Sequence, residues 1–170
     1  MIGDRNAARS QAAGAALRAT GPAKSLVRVA CDAGGTPTEL LLEFLSKYTA
    51  QRYPGQLGQR LPVAAYELIE NGIQYGSVAK EVIFEMLERD GWVELRVTNH
   101  AVPARVSRLR EQIGKIAADP SKAYAEAMQR SMSGGKPMLG LARVSHECRM
   151  ELYLEEGSAG EVLVVARCRR

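Results

Sequence analysis

Apolar and polar positions alternate from Ser25 to Ala33 (SLVRVACDA), a period of two that predicts a strand ended by Gly34-Gly35. Apolar positions then recur at helical spacing in Leu41, Leu42, Leu45 and Tyr48. The start signal for this helix is complete: Thr36 can cap, Pro37 suits the first helical position, Glu39 closes a capping box, and Pro54-Gly55 lies beyond the end. A second helix is expected from about Gln59 to Tyr75, with Leu61, Ala65, Leu68 and Ile73 as its buried stripe and Gly76 as its terminator. Glu67, Asn71 and Gln74 fall on another face of that helix, at i, i+4 and i+7. Period-two alternation returns at Glu81 to Glu88, with Val82, Phe84 and Met86 on one side, and at Trp92 to Asn99, with Val93, Leu95 and Val97 opposed to Glu94, Arg96 and Thr98. Asp90-Gly91 between them reads as a hairpin turn, and the pair as antiparallel strands with one wet face. Residues 103–131 read as helix in two pieces parted at Asp119-Pro120, with Asp119 as cap of the second. Ser131 to Pro137 reads as a glycine loop, Leu139 to Cys148 as a short helix, and Arg149 to Glu155 with Glu161 to Cys168 as a closing hairpin that lays Met150, Leu152 and Leu154 on the sheet.

Strands that pair as hairpins, with helices left to cover one side, predict an α+β fold: a two-layer α/β sandwich whose sheet is mostly antiparallel. Met1 to about Lys24, rich in Ala with scattered Arg, is expected to be a flexible tail, and residues 25–170 a single domain. At 170 residues, 46% hydrophobic and 25% charged, the chain is of ordinary globular composition, long enough to bury about 70% of its unfolded surface. A disordered, collagen-like or coiled-coil chain is excluded. No apolar run approaches the roughly 20 residues of a membrane span.

Net charge is +4, too small by itself to indicate nucleic acid. Arg105, Arg108, Arg110 and Lys115 form a basic stretch, and Arg167, Arg169 and Arg170 a basic end; both read as solvated faces that would also suit an acidic protein partner. Cys31, Cys148 and Cys168 form no C-x-x-C pair, and with no apolar signal segment they read as packed thiols of a cytoplasmic protein. Ser145-His146-Glu147 superficially resembles a phosphoacceptor box, but it lacks the expected proline and a two-helix domain to carry it. Trp92, which opens a strand, is expected in the core.

The segment with chemical content is Ala64 to Ser77, AAYELIENGIQYGS. Glu67 and Asn71 stand one helical turn apart, so both can face one cleft. A carboxylate can take a proton from a hydroxyl, and an amide oxygen is a hard ligand suited to Mg²⁺. The Glu-x-x-x-Asn, followed by an aromatic at Tyr75 and then Gly76, resembles the N-box of the GHKL superfamily, the Bergerat-fold ATP-binding domain of histidine kinases, gyrase and anti-sigma serine kinases. The likeness is nearest to the small anti-sigma type. Gly134-Gly135-Lys136-Pro137-Met138-Leu139-Gly140-Leu141-Ala142 is similar to the second glycine box of that family, and the helical stretch between the boxes resembles that of regulators related to SiaB-type kinases. The resemblance implies ATP and Mg²⁺ as cofactors. Glu67 would activate an acceptor hydroxyl, Asn71 would hold Mg²⁺ between the phosphates, Asn99 would accept from the adenine amino group, and Gly134, Gly135, Lys136 and Gly140 would surround the phosphates. A lid is implied over about residues 103–138.

The first glycine box departs from the family pattern, Asp-x-Gly-x-Gly. Asn99 stands where the Asp would be, and Ala101 and Pro103 where the glycines would be. A charged acceptor contributes about 1.5–3 kcal/mol to a hydrogen bond against about 1 for a neutral one, so this box is degenerate. Two readings follow. One is a serine/threonine kinase acting on a small signalling protein in a partner-switching pathway. The other is a non-catalytic pseudo-ATPase that binds a sigma factor or an antagonist-type domain. Neither calls for a membrane or nucleic acid, and both are compatible with a homodimer.

Overall fold

Val82–Arg89 (β2) and Trp92–His100 (β3) are joined by the turn at Asp90-Gly91, whose φ angles are 49° and 77°. Two successive positive φ values give the type I′ turn that matches strand twist, which is why Asp-Gly occupies it. The computed structural model describes residues 22–31, 38–76, 81–133 and 139–170. Around the β2–β3 hairpin lie β1 (Lys24–Cys31), α1 (Thr38–Arg52), α2 (Gln56–Tyr75), α3 (Pro103–Ala118), α4 (Pro120–Met132), α5 (Leu139–His146), β4 (Glu151–Glu156) and β5 (Glu161–Arg169). The sheet is five-stranded in the order β1-β2-β3-β5-β4, with every pairing antiparallel. Helices α2, α3 and α5 pack on the sheet, α1 packs on α2, and α4 packs on α3 and α5. This is the two-layer α+β sandwich that the alternation of patterns predicts. No described helix is long and apolar enough to cross a membrane.

The inner face of the sheet carries the expected alternation. Val82, Phe84 and Met86 of β2 and Val93, Leu95 and Val97 of β3 are fully buried beneath Leu61, Ala65, Leu68 and Ile69 of α2. Gly72 lets α2 approach closest: a Cβ there would lie 2.7 Å from Val97 Cγ1 and 3.0 Å from Val82 Cγ1. The approach brings the last turns of α2 down onto the end of β3 and so sets the position of Asn71 relative to Asn99.

Several local expectations are corrected. The outer face is not uniformly wet: Glu94 is only 2% exposed. It sits on a central strand between Leu87 of β2 and Arg167 of β5, and Arg96 donates to its Oε2 from Nε at 3.0 Å and Nη2 at 2.7 Å. Gly76 ends α2, but in an extended conformation (φ −70°) rather than a left-handed cap. Its glycine is required by space, since a Cβ would lie 2.5 Å from the Gly72 carbonyl oxygen. Ser131 and Met132 belong to α4 rather than to the following loop, while α5 stops at His146, two residues short of the expected end. Asp119 caps α4 as expected, its Oδ1 accepting from the Lys122 N–H at 3.0 Å. The Thr36-Pro37 start signal, the Cys31 side chain, and Gly134, Gly135 and Lys136 lie outside the described residues.

Candidate functional site

A cavity of about 450 Å³ opens between the last turns of α2, the end of β3 and the inward face of α3. Its floor is apolar, made by Leu68, Val97, Leu141 and Val164. Two asparagines face it, Asn71 from α2 and Asn99 from β3, beside Gln74 and Gln112, and Arg105 and Arg108 of α3 stand at its margin. Size and lining are those of a small-ligand site, apolar with a few placed polar groups.

Both asparagine amides are oriented by the α2 backbone. Asn71 Nδ2 donates to the Glu67 carbonyl one turn back. Asn99 is 8% exposed, and its Nδ2 donates to the Gly72 carbonyl at 3.0 Å. A carbonyl can only accept, so each contact fixes which end of the amide is nitrogen and leaves the amide oxygen as the remaining polar atom. Neither oxygen has a hydrogen-bond partner among the described residues. The pair thus offers one oxygen suited to a hard cation and one suited to an exocyclic amino group, which is the donor set that Mg²⁺ and a purine need. On that test the residues present fit the cofactors that the sequence resemblance implies.

Glu67 is differently placed. Its carboxylate is not among the groups lining the cavity; Oε1 forms an ion pair with Arg143 Nη1 of α5 at 2.6 Å. Arg143 reaches in turn to Glu147 at 3.3 Å, and Glu147 accepts a hydrogen bond from the Tyr124 hydroxyl of α4. Tyr124 also stacks on His146, ring centroids 4.7 Å apart. A continuous polar chain therefore runs from Glu67 of α2 through α5 to α4. Gly140 opens α5 directly against the same pair: a Cβ would lie 2.5 Å from Glu67 Oε2 and 2.9 Å from Asn71 Nδ2. Of the expected site residues, Glu67, Asn71 and Gly140 meet one another, and Asn99 shares the cavity with Asn71 alone.

Pro103 opens α3 at a position where a helix has no use for its missing N–H. The segment after β3 is thus a helix start, and α3 lies along the cavity. Arg105, Arg108, Leu109 and Gln112, spaced i, i+3, i+4 and i+7, border the cavity, Leu109 and Gln112 half-buried and the two arginines exposed at its rim, as their charge predicts. Arg105 donates from Nη1 to the Tyr75 carbonyl at 3.0 Å, satisfying the C-terminus of α2. Arg143 carries no signal in the sequence, because its partner is 76 residues away in the chain.

The other sequence candidates separate cleanly. Burial pushes the Cys148 and Cys168 thiols each up to about 11, so both stay protonated. His146 is exposed and held by Tyr124, with Ser121 Oγ 3.5 Å from its Nδ1. Trp92 is only half-buried and is flanked by arginines, contrary to its expected place in the core.

No family model and no curated protein matches this chain. Among solved structures the fold is similar to a chain of the SiaB-SiaC complex from Pseudomonas aeruginosa, with a TM-score of 0.64 at 16% identity, over 93% of this chain and 95% of that one. A likeness at this identity establishes the fold, carried over nearly the full length of both chains.

Proposed function

We propose that this protein is a signalling regulator of the partner-switching type, which binds a purine nucleotide with Mg²⁺ in the α2–β3–α3 cavity and thereby governs capture of a small signalling protein. The observation that carries the reading is the pair of backbone-fixed amides, Asn71 and Asn99, presenting acceptor oxygens over an apolar floor. Asn71 would hold the metal, Asn99 would receive the adenine amino group, and Arg105 and Arg108 would supply positive charge near the phosphates in place of the missing glycine box. The similar fold of a protein solved as a complex with a partner supports a protein ligand, here an antagonist-type domain or a sigma factor.

Within this reading the binding role is favoured over phosphoryl transfer. A general base must lie within reach of its proton, and the Glu67 carboxylate does not line the cavity but is drawn toward α5 by Arg143 at 2.6 Å. The kinase reading draws on a specific observation too: Glu67 lies one turn from Asn71, and displacement of Arg143 would release it.

Titration calorimetry of the full chain with Mg-ATP, beside Asn71→Ala, tests the reading. Saturable heat in the wild type that is lost in the variant is expected; absent heat in the wild type overturns nucleotide binding, and equal heat in both overturns the role of Asn71. Transfer of labelled phosphate to a co-purified partner separates the two roles. Transfer that Glu67→Gln abolishes, at unchanged nucleotide affinity, establishes the kinase.

A further inference from the structure

β1 is an edge strand: it pairs with β2 and, among the described residues, with nothing on its other side. Lys24 lies opposite Glu88 and Cys31 opposite Val82, with a bulge between Ser25 and Val27, so the regular part of the strand is Val27–Cys31. Along its outer edge the backbone N–H and C=O groups have no ladder partner, a state that folded proteins cover or blunt.

The helix layer above that edge is open as well. β4, at the far edge of the sheet, is covered by α3 and α5, so α1, on the opposite flank of α2, lies at the β1 end. Arg52 in the last turn of α1 donates to Glu88, the residue opposite Lys24, and fixes the helix there. Thr49 Oγ1 donates to the Gly58 carbonyl at 2.7 Å and so marks the side of α1 that faces α2. Leu40, Phe44 and Tyr48 form a stripe at i, i+4 and i+8. At about 100° per residue Phe44 lies about 140° around the helix from Thr49, so the stripe is turned away from α2. Leu40 is 64% and Phe44 50% exposed, and Phe44 stacks on the half-buried Tyr48, ring centroids 5.7 Å apart.

We propose that this flank, the edge of β1 with the Leu40-Phe44-Tyr48 stripe above it, docks a second copy of this chain in a two-fold dimer that joins the two five-stranded sheets into one. The occupant has to satisfy two layers at once, a strand for the edge and an apolar helix face for the stripe. An extended peptide offers only the first. The chain's own β1 and α1 offer both at the same relative height, and a two-fold axis sets each against its like. Charge selects the register. Antiparallel pairing centred on Val29 takes in all five regular residues and sets Arg28 opposite Ala30 of the second copy, whereas pairing centred on Arg28 would oppose two guanidiniums. Arg28 is ion-paired to Glu85 of its own chain at 3.2 Å. No residue of α1 or β1 lines the α2–β3–α3 cavity, so the inference does not depend on what that cavity binds.

Sedimentation equilibrium of the full chain is expected to show a dimer whose Kd rises at least about tenfold in Phe44→Glu, as befits loss of an aromatic anchor. Phe44 is outside the core, so the variant is expected to keep the wild-type circular dichroism. Met132→Glu, which changes an apolar residue 83% exposed on α4, is expected to leave the Kd unmoved. The register is read separately, with Val29→Cys in a Cys31→Ser background. Diamide is expected to convert that variant to a covalent dimer, because residues directly opposite across an antiparallel pair stand close to disulfide reach. A monomer at every concentration overturns the proposal, and slow amide exchange at Val27–Cys31 in that monomer would assign the edge to residues 1–21 of the same chain. A dimer that Phe44→Glu leaves unchanged and Val29→Cys does not cross-link overturns it equally and places the interface elsewhere.

Discussion

Glu67, Asn71 and Gly140 meet within one side-chain width, and each constrains the others. The Gly140 backbone occupies the space that any β-carbon would contest with Glu67 Oε2 and Asn71 Nδ2. Neither neighbour moves freely, because one is ion-paired to Arg143 and the other bonded to the Glu67 carbonyl. Gly140→Ala is therefore expected to destabilise by about 1–3 kcal/mol, the usual cost of overpacking, read as a lower urea midpoint, and to weaken Mg-ATP binding with it. An unchanged midpoint would show that the α5 start is slack. A second residue-scale expectation concerns Glu88, which accepts from Arg52 Nη2 at 2.6 Å and from the Tyr53 hydroxyl at 2.5 Å. The hydrogen bonds from Arg52 hold its carboxyl below the usual 4.5. A carboxyl depressed in the folded state binds fewer protons there than when unfolded, so its stabilisation is present above the ordinary glutamate pKa and is lost as pH falls through the lowered one. Urea midpoints measured from neutral to acid pH should fall below about pH 4.5 less steeply in Glu88→Gln than in the wild type. Parallel profiles would remove Glu88 from the acid response. The Glu67–Asn71 spacing was legible in the sequence because a helix fixes which residues share a face. The Arg143 contact was not, because it joins residues that only packing of α5 on α2 brings near.

Where each element begins and ends follows from local chemistry that a sequence carries openly. Asp119 both ends α3 and caps α4, and Pro120 takes the first helical position. Asp119→Ala should cost about 1 kcal/mol, the ordinary value of a lost N-cap, seen as a lower urea midpoint with an unchanged denaturant slope. The Asp90-Gly91 turn was equally readable, since few residues other than Gly, Asn and Asp accept two positive φ angles in succession. Burial on the outer face of the sheet was less readable. Alternation assigned Glu94 to a wet face, yet a central position between Leu87 and Arg167 removes it from water, and Arg96 supplies the compensating charge. Alternation reports which side of a sheet a residue faces, not how tall its neighbours on the adjoining strands are.

At the scale of the molecule, ligand binding couples to stability. A nucleotide that binds only the folded chain adds about 2.7 kcal/mol at one hundred times its Kd, and for a chain of this size each kcal/mol raises Tm by roughly 2–4 °C. Saturating Mg-ATP should therefore raise Tm by roughly 5–10 °C in the wild type and leave Asn71→Ala nearly unmoved. No shift in the wild type would leave the fold intact as a description and remove the nucleotide from it.

The sequence by itself determined the order of the elements, the antiparallel hairpins, the inner face of the sheet and the Glu67–Asn71 face of α2. All of these are set by periodicity and by backbone preferences within a few residues. Tertiary structure alone decided that Arg143 pairs with Glu67 and that Asn99 turns its oxygen free by giving its nitrogen to Gly72. Those contacts join chain positions far apart, so they exist only once burial of apolar faces has fixed where α2, α5 and the strand ends come together.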